Sequence, residues 1–174
     1  MIYRFRIILD TEEDIFRDIE IDQKATLEDL HNAINQGFGF DGTEMASFYT
    51  SEGDWRPGEE IVLFDMEESE EPVRVMAYTT IDELVDKDQT QLIYVYDFLN
   101  LWTFFVELAD VVEPEDGILY PNLMYVHGQI PAEAPPTDFS GDDDDNDGDD
   151  LDDDFKDDYD VDDYDNLDFD ENWN

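Results

Sequence analysis

Apolar and polar residues alternate along residues 2–9, with Tyr3, Phe5, Ile7 and Leu9 on one side and Arg4 and Arg6 on the other. A period of two is that of a half-buried β-strand. Residues 10–14 are polar and turn-like, and residues 15–21 alternate again through Ile15, Ile19 and Ile21, with Arg17 among them. Two such strands joined by a short turn predict an antiparallel hairpin. The period then changes. Leu27, Leu30, His31, Ile34 and Phe38 stand at i, i+3, i+4, i+7 and i+11, which is one stripe of an α-helix. Thr26 is a natural N-cap, Asp29 completes a weaker form of the capping box, and Glu28 and Asp29 suit the positive end of the helix dipole. Gly37 and Gly39 offer left-handed positions at the other end. The pattern predicts an amphipathic helix within residues 26–40, too short to be stable alone and needing a sheet to lie on.

Residues 45–50 read as a third strand. The chain therefore opens strand–strand–helix–strand, the order of a β-grasp-like α+β domain: a mostly antiparallel sheet with one main helix packed on it. Residues 51–60, with Trp55, Pro57 and Gly58, predict a loop. Residues 61–66 and 73–78 predict short strands on either side of the acidic run 67–71. Thr80 and Glu83 form a capping box that opens a helix of about two turns, with Ile81, Leu84 and Val85 inward. Residues 92–98 and 101–112 are rich in Tyr, Phe, Trp and Val. They predict a second hairpin at the sheet centre, closed tightly by Leu99 and Asn100. Beyond Val112, Pro114, Pro121, Pro131, Pro135 and Pro136 predict an extended loop packed on the body rather than a strand. From Gly141 the composition collapses to aspartate. The expected division is a folded domain over 1–140 and a disordered tail over 141–174.

Charge sharpens this division. The chain has 51 acidic and 8 basic residues, a net charge of -43. Residues 141–174 hold 19 of the acids against Lys156 alone, and the rest of the chain is acidic too, with 32 acids against 7 bases. Such a surface repels phosphate backbones and anionic membranes and attracts basic partners. There is no cysteine, which removes disulfides and thiolate metal sites. The N-terminal apolar run carries two arginines, unlike a signal peptide. No run approaches the roughly 18 apolar residues of a membrane span. A cytoplasmic location is expected.

Three stretches, taken in order, resemble a known family. They are LHNAINQGFGFDG with Met45 and Phe48, YDFLNLWTFFVEL over residues 96–108, and YPNLMYVHG over 120–128 followed by PPTDFSG over 135–141. Together with the opening strands they resemble the plasmid pRiA4b ORF-3-like family, also met as passenger proteins of insertion elements. The resemblance implies an α+β domain over about residues 1–141 and no established reaction. Members commonly read Tyr-Asp-Phe-Gly-Asp before the tryptophan, where this chain has Leu99-Asn100. Thr137-Asp138 likewise stands for the Glu-Asp that usually follows the paired prolines. If that pattern marks a polar site, this chain has lost part of it, and a binding or scaffolding role is implied over catalysis.

Candidate chemistry is sparse, and no cofactor is expected. The chain shows no phosphate-binding glycine loop and no nucleophile elbow. His31 lies on the apolar stripe of the helix, where a buried, hydrogen-bonded histidine is the commoner outcome than a base or ligand. His127 stands beside Gly128 in the proline-flanked stretch. With two histidines a zinc site would need carboxylates to complete it. Asp97 and Glu107, near the ends of the second hairpin, are a candidate carboxylate pair, though among 51 acids such pairs arise by chance. The enzymatic alternative places a polar site at Tyr96, Asp97 and Trp102, with His127 and Asp138. In the tail, Asp143, Asp145, Asp147 and Gly148, with Asp154 at the twelfth position, match the skeleton of a calcium loop. Almost any register of an aspartate run does so, and Asp150 takes the position that is usually apolar. Weak, non-specific divalent binding is the expectation. Phe155, Tyr159, Tyr164, Phe169 and Trp173 interrupt the acid every four or five residues, which a purely solubilising tail does not need. Binding to a basic surface relieves self-repulsion and gives the rings pockets. The leading expectation is a non-enzymatic interaction protein whose tail binds a basic partner, a nucleic-acid-binding protein being one candidate.

Overall fold

The alternating opening strand, β1 (Ile2–Leu9), pairs antiparallel on one side with β2 (Phe16–Asp22). The computed structural model describes residues 1–65 and 71–136, all within one unit, Met1–Thr137. Asp138, the calcium-like loop and the tail aromatics lie outside the described residues. After β2 come α1 (Leu27–Phe38), β3 (Ala46–Ser51), β4 (Pro57–Val62), β5 (Arg74–Val75), β6 (Gln91–Tyr96), β7 (Trp102–Val112) and β8 (Asn122–His127). They form one eight-stranded sheet in the order β5-β4-β3-β6-β7-β1-β2-β8. Every pairing is antiparallel except β4 with β5. The hairpin β6–β7 occupies the centre, as its apolar content on both faces predicts.

The helix forms where its pattern places it. The Thr26 side chain accepts from the Asp29 amide and the Asp29 carboxylate accepts from the Thr26 amide, a complete capping box, and Gly39 ends the helix at φ 83°. Leu27, Leu30 and Ile34 are fully buried against Phe5, Ile7, Phe48, Tyr94 and Phe104 of the sheet. Each such side chain contributes about 1.5–3 kcal/mol. On the opposite face, Arg4 and Arg6 pair with Glu20 and Asp18, each at 2.8 Å.

Four expectations are corrected. The loop over 51–60 is shorter, because β4 begins at Pro57. Proline is tolerated as the first residue of a strand, and Pro57 stands opposite Ser51. The strand expected over 73–78 is only Arg74–Val75, followed by a 3₁₀ turn, Met76–Tyr78, that turns Met76 inward. The capping box at Thr80 and Glu83 forms but opens a single 3₁₀ turn, Ile81–Glu83, rather than two helical turns. Ile81 and Asp82 donate their amides to the Ala25 and Gln23 carbonyls, which anchors the segment to the start of α1. The helix ends because Asp86 donates its amide to the Gln89 carbonyl rather than back to Asp82, while the Tyr3 hydroxyl takes the Val85 carbonyl at 2.8 Å. The proline-rich stretch after Val112 contains a strand, β8, paired antiparallel with β2. Its prolines stand outside Asn122–His127. Gly128 ends it at φ 83°, where a Cβ would lie 2.7 Å from the Asp14 carbonyl oxygen, so only glycine fits.

Candidate functional site

The tip of the central hairpin brings together three residues of the expected polar site, Tyr96, Asp97 and Trp102. Tyr96 and Trp102 face each other across the strands, and between them Asp97 and Leu101 take φ values of 68° and 57°, a region costly for residues with a Cβ. The Asp97 carboxylate makes this turn affordable. Its Oδ1 accepts from the Leu99 amide at 3.1 Å and the Asn100 amide at 3.4 Å, and its Oδ2 accepts from Asn100 Nδ2 at 2.6 Å. Its backbone amide donates to the Met45 carbonyl at 2.8 Å. Asp97 is therefore a turn-organising residue with both carboxylate oxygens engaged, of the kind aspartate commonly fills. Asn100 supplies the side-chain donor that closes this turn on the Asp97 carboxylate. Asp97→Ala is expected to lower stability by about 2–3 kcal/mol, from three lost charge-assisted bonds and a strained backbone. Asp97→Asn should cost less than half as much in the same urea titration.

Beside the turn, Phe40 stacks on Tyr96 at 4.5 Å and 14° and meets Trp102 at 5.2 Å. The Tyr96 hydroxyl donates to Asp41 Oδ1 at 3.1 Å. That oxygen also accepts from the Thr43 amide and hydroxyl. These bonds, the Thr43 amide foremost, hold the Asp41 carboxyl below the usual carboxylate range. A cleft of about 520 Å³ opens between Leu99, Asn100 and Trp102 on one side and Ala132–Ala134 on the other. Leu99, at the tip, is 91% exposed.

The other candidates do not converge on this tip. Glu107 stands opposite Gln91, five residues along β7 from Trp102 and hence about 17 Å away. It accepts from the Thr90 hydroxyl at 2.7 Å and makes no pair with Asp97. His127 lies on β8, four strand spacings from β6, about 19 Å across the sheet. Its ring stacks on Phe16 at 5.0 Å. His31 is buried in the core, with its Nδ1 2.7 Å from the Tyr94 hydroxyl and its Nε2 3.2 Å from the Asn35 side-chain amide. Burial lowers its pKa to about 4, so the ring is neutral at neutral pH and shielded from any substrate. Among the described residues, no group of three or more His, Asp or Glu is placed to hold a metal ion.

Sequence reasoning passed over Arg17. Its guanidinium is buried, lies 4.6 Å over the Phe38 ring, and donates to the carbonyls of Gly37, Phe16, His127 and Gly128 at 2.8, 2.9, 3.0 and 3.1 Å. Burial lowers its pKa. The available signal was its position, a lone arginine on the isoleucine face of β2.

This hairpin tip, the capped helix and the strand ending at Gly128 are the three stretches that carry the family likeness. The family model described as plasmid pRiA4b ORF-3-like protein matches residues 1–172. The chain belongs to that family. For the pRiA4b ORF-3-like fold there is also a structural counterpart, a crystal structure of a protein of unknown function from Methanosarcina mazei Go1. It is 19% identical, with a TM-score of 0.62, over 72% of this chain and 68% of that one. At that identity the likeness concerns the fold alone. No curated protein matches the chain. No helix among the described residues of this pRiA4b ORF-3-like chain is long and apolar enough to cross a membrane.

Proposed function

We propose that this pRiA4b ORF-3-like chain is a non-enzymatic interaction protein of the cytoplasm, with a β-grasp-like body carrying an acidic–aromatic tail that binds a basic protein surface. The observation that carries the reading is the tail's composition: residues 141–174 hold 19 acids and one base, interrupted by Phe155, Tyr159, Tyr164, Phe169 and Trp173. An extended chain advances about 3.4 Å per residue, and one DNA strand carries a phosphate about every 3.4 Å. An aspartate run thus approaches the charge spacing of a nucleic-acid strand, and its rings suit pockets that take bases. A nucleic-acid-binding protein is accordingly the favoured partner. The body supports a binding role, since Asp97 and His31 are engaged within the fold rather than held ready for chemistry.

The test is a pull-down from the native host at about 0.15 M and about 0.5 M salt, on either side of effective charge screening. The intact chain is compared with one whose five tail aromatics are changed to serine. A defined partner retained at the lower salt only by the intact chain is the expected result. Equal retention of both chains would reduce the tail to non-specific attraction and end the reading.

A further inference from the structure

Edge strands present unpaired amides and carbonyls, and proteins usually blunt them by shortness or charge. One edge of this sheet follows that rule: β5 is two residues long. The other edge is neither short nor charged, and its one irregularity is a register shift at Met124. Among the described residues β8 ends the strand order, runs for six residues, and carries no acidic or basic side chain other than His127. Leu123, Met124, Tyr125 and Val126 are 43–53% exposed in a chain of net charge -43. The chain beyond it turns away, with Ile130 and Ala134 packed against the core.

Two further features give this edge a shape and a sign. A groove of about 250 Å³ runs between β8 and α1, lined by Ile19, Ala33, Gly37 and Leu123 among others. Gly37 lines it without a side chain, and a Cβ there would sit in ordinary contact with Leu123 Cδ1 at 3.6 Å, so a longer side chain would extend into the groove. The loops at the two ends of β8 are acidic. Glu12, Glu13 and Asp14 are exposed at the His127 end, where Gly128 abuts Asp14, and Glu113, Glu115 and Asp116 are exposed in the loop that leads to Pro121.

We infer that the β8–α1 edge is a docking site for an extended segment of a basic protein, apolar in its middle and bearing Lys or Arg at both ends, added to the sheet as another strand. Main-chain hydrogen bonds to β8 supply affinity, and alternate side chains enter the groove. The opposite side chains meet the stacked rings of Phe16, Tyr125 and His127. Six residues of strand separate the acidic loops by about 20 Å, which sets the spacing of the basic ends. The inference rests on the proposed function for the sign of the partner's charge, but uses a surface separate from the tail. A second copy of the chain is the disfavoured occupant, because it would bring two strongly acidic bodies together.

The experiment uses the isotope-labelled full chain and the peptide Lys-Lys-Val-Thr-Val-Thr-Val-Lys-Lys, followed by amide shifts and hydrogen exchange. Slowed exchange at residues 123–127, shifts at 33–37, and binding weakened about tenfold when salt rises from about 0.05 to about 0.3 M are expected. Replacing the threonines by proline keeps the charge but removes the ladder, and should abolish protection of β8. Gly37→Leu should fill the groove and weaken binding at least fivefold while leaving the fold intact, because leucine suits a helix better than glycine. Val126→Pro tests the ladder from the protein side. Changes confined to residues 141–174 would leave the tail reading standing and overturn the docking edge. Protection of β8 with no response in the tail would support the edge and count against the tail. Protection of β8 without peptide, rising with salt and protein concentration, would assign the edge to a second copy and overturn the inference.

Discussion

Arg17→Met is expected to lower the stability of the chain by about 3 kcal/mol, with a melting temperature lower by roughly 6–12 °C. Methionine keeps the apolar stem beside Gly37 and Ile19 and removes only the guanidinium. Two effects oppose each other. Burying a cation with no carboxylate partner among the described residues is costly, and the substitution relieves that cost. Against this, four carbonyls lose a charged donor, three of them sharing the two hydrogens of Nη1, where one full bond of this kind contributes about 1.5–3 kcal/mol. The His127 and Gly128 carbonyls lie at the exposed end of β8 and regain water, whereas those of Phe16 and Gly37 are less accessible, so the loss wins. Arg17→Lys should recover less than half of the effect, because one ammonium cannot span four acceptors set around a planar fork. Urea titration gives the magnitude. Hydrogen exchange gives the place: β8 amides should lose protection before those of β6 and β7, since Arg17 ties the exit of β8 to the end of α1. A stability change below about 0.5 kcal/mol would show that the carbonyls are satisfied without it.

Lowering the pH from 7 to 4.5 is expected to remove about 2.5 kcal/mol of stability through His31 alone. The ring titrates near 6.5 when the chain is unfolded, and burial lowers this to about 4 in the fold. Above pH 6.5 the ring is neutral in both states and nothing is lost. As the pH falls through the window from 6.5 to 4, the unfolded state takes up the proton and the folded state does not, so stability drops. Below about 4 both states are charged and the loss levels off. The many carboxylates titrate in the same range, and protonating them relieves the self-repulsion of the chain, so a single melting curve mixes the two effects. The difference between the natural chain and His31→Gln isolates the histidine. Glutamine carries no titrating group and still offers Tyr94 a partner. The stability advantage of histidine at pH 7 should shrink by about 2.5 kcal/mol at pH 4.5. A constant difference across the range would mean that the ring is hydrated in the folded state.

The elements that the sequence made legible are those whose signals are local. Leu27, Leu30, Ile34 and Phe38 repeat at the helical period, and Thr26, Asp29 and Gly39 close the helix with their own side chains or backbone freedom, so α1 needed no distant partner to be recognised. The alternation in β1 and β2 and the ring-rich strands β6 and β7 were equally plain. Family likeness at the hairpin tip was legible too, but not its meaning. Asp97 looks like a candidate catalytic acid until the left-handed turn closes over its carboxylate, and Asn100 completes that lock from three residues away.

What only the tertiary structure decided concerns groups whose partners are far along the chain. The Thr80 capping box was readable, yet its helix stops after one 3₁₀ turn because the Asp86 amide turns to Gln89 and distant Tyr3 takes the Val85 carbonyl. The prolines after Val112 concealed β8, which exists because β2 offers it a ladder more than a hundred residues earlier, as in the pairing of Arg17 with Val126. Asp97, Glu107 and His127 share a sequence neighbourhood with the central hairpin and its sequel, but the length of β7 carries Glu107 about 17 Å from Trp102 at the tip, and strand order sets β8 about 19 Å from β6. Period, capping and composition are properties of neighbours in the chain, and the amino-acid sequence determined them by itself. Which face a charge is buried on, what satisfies it, and which strand is left at the edge depend on contacts between segments distant in sequence. Those contacts exist only once the sheet has closed its order around α1.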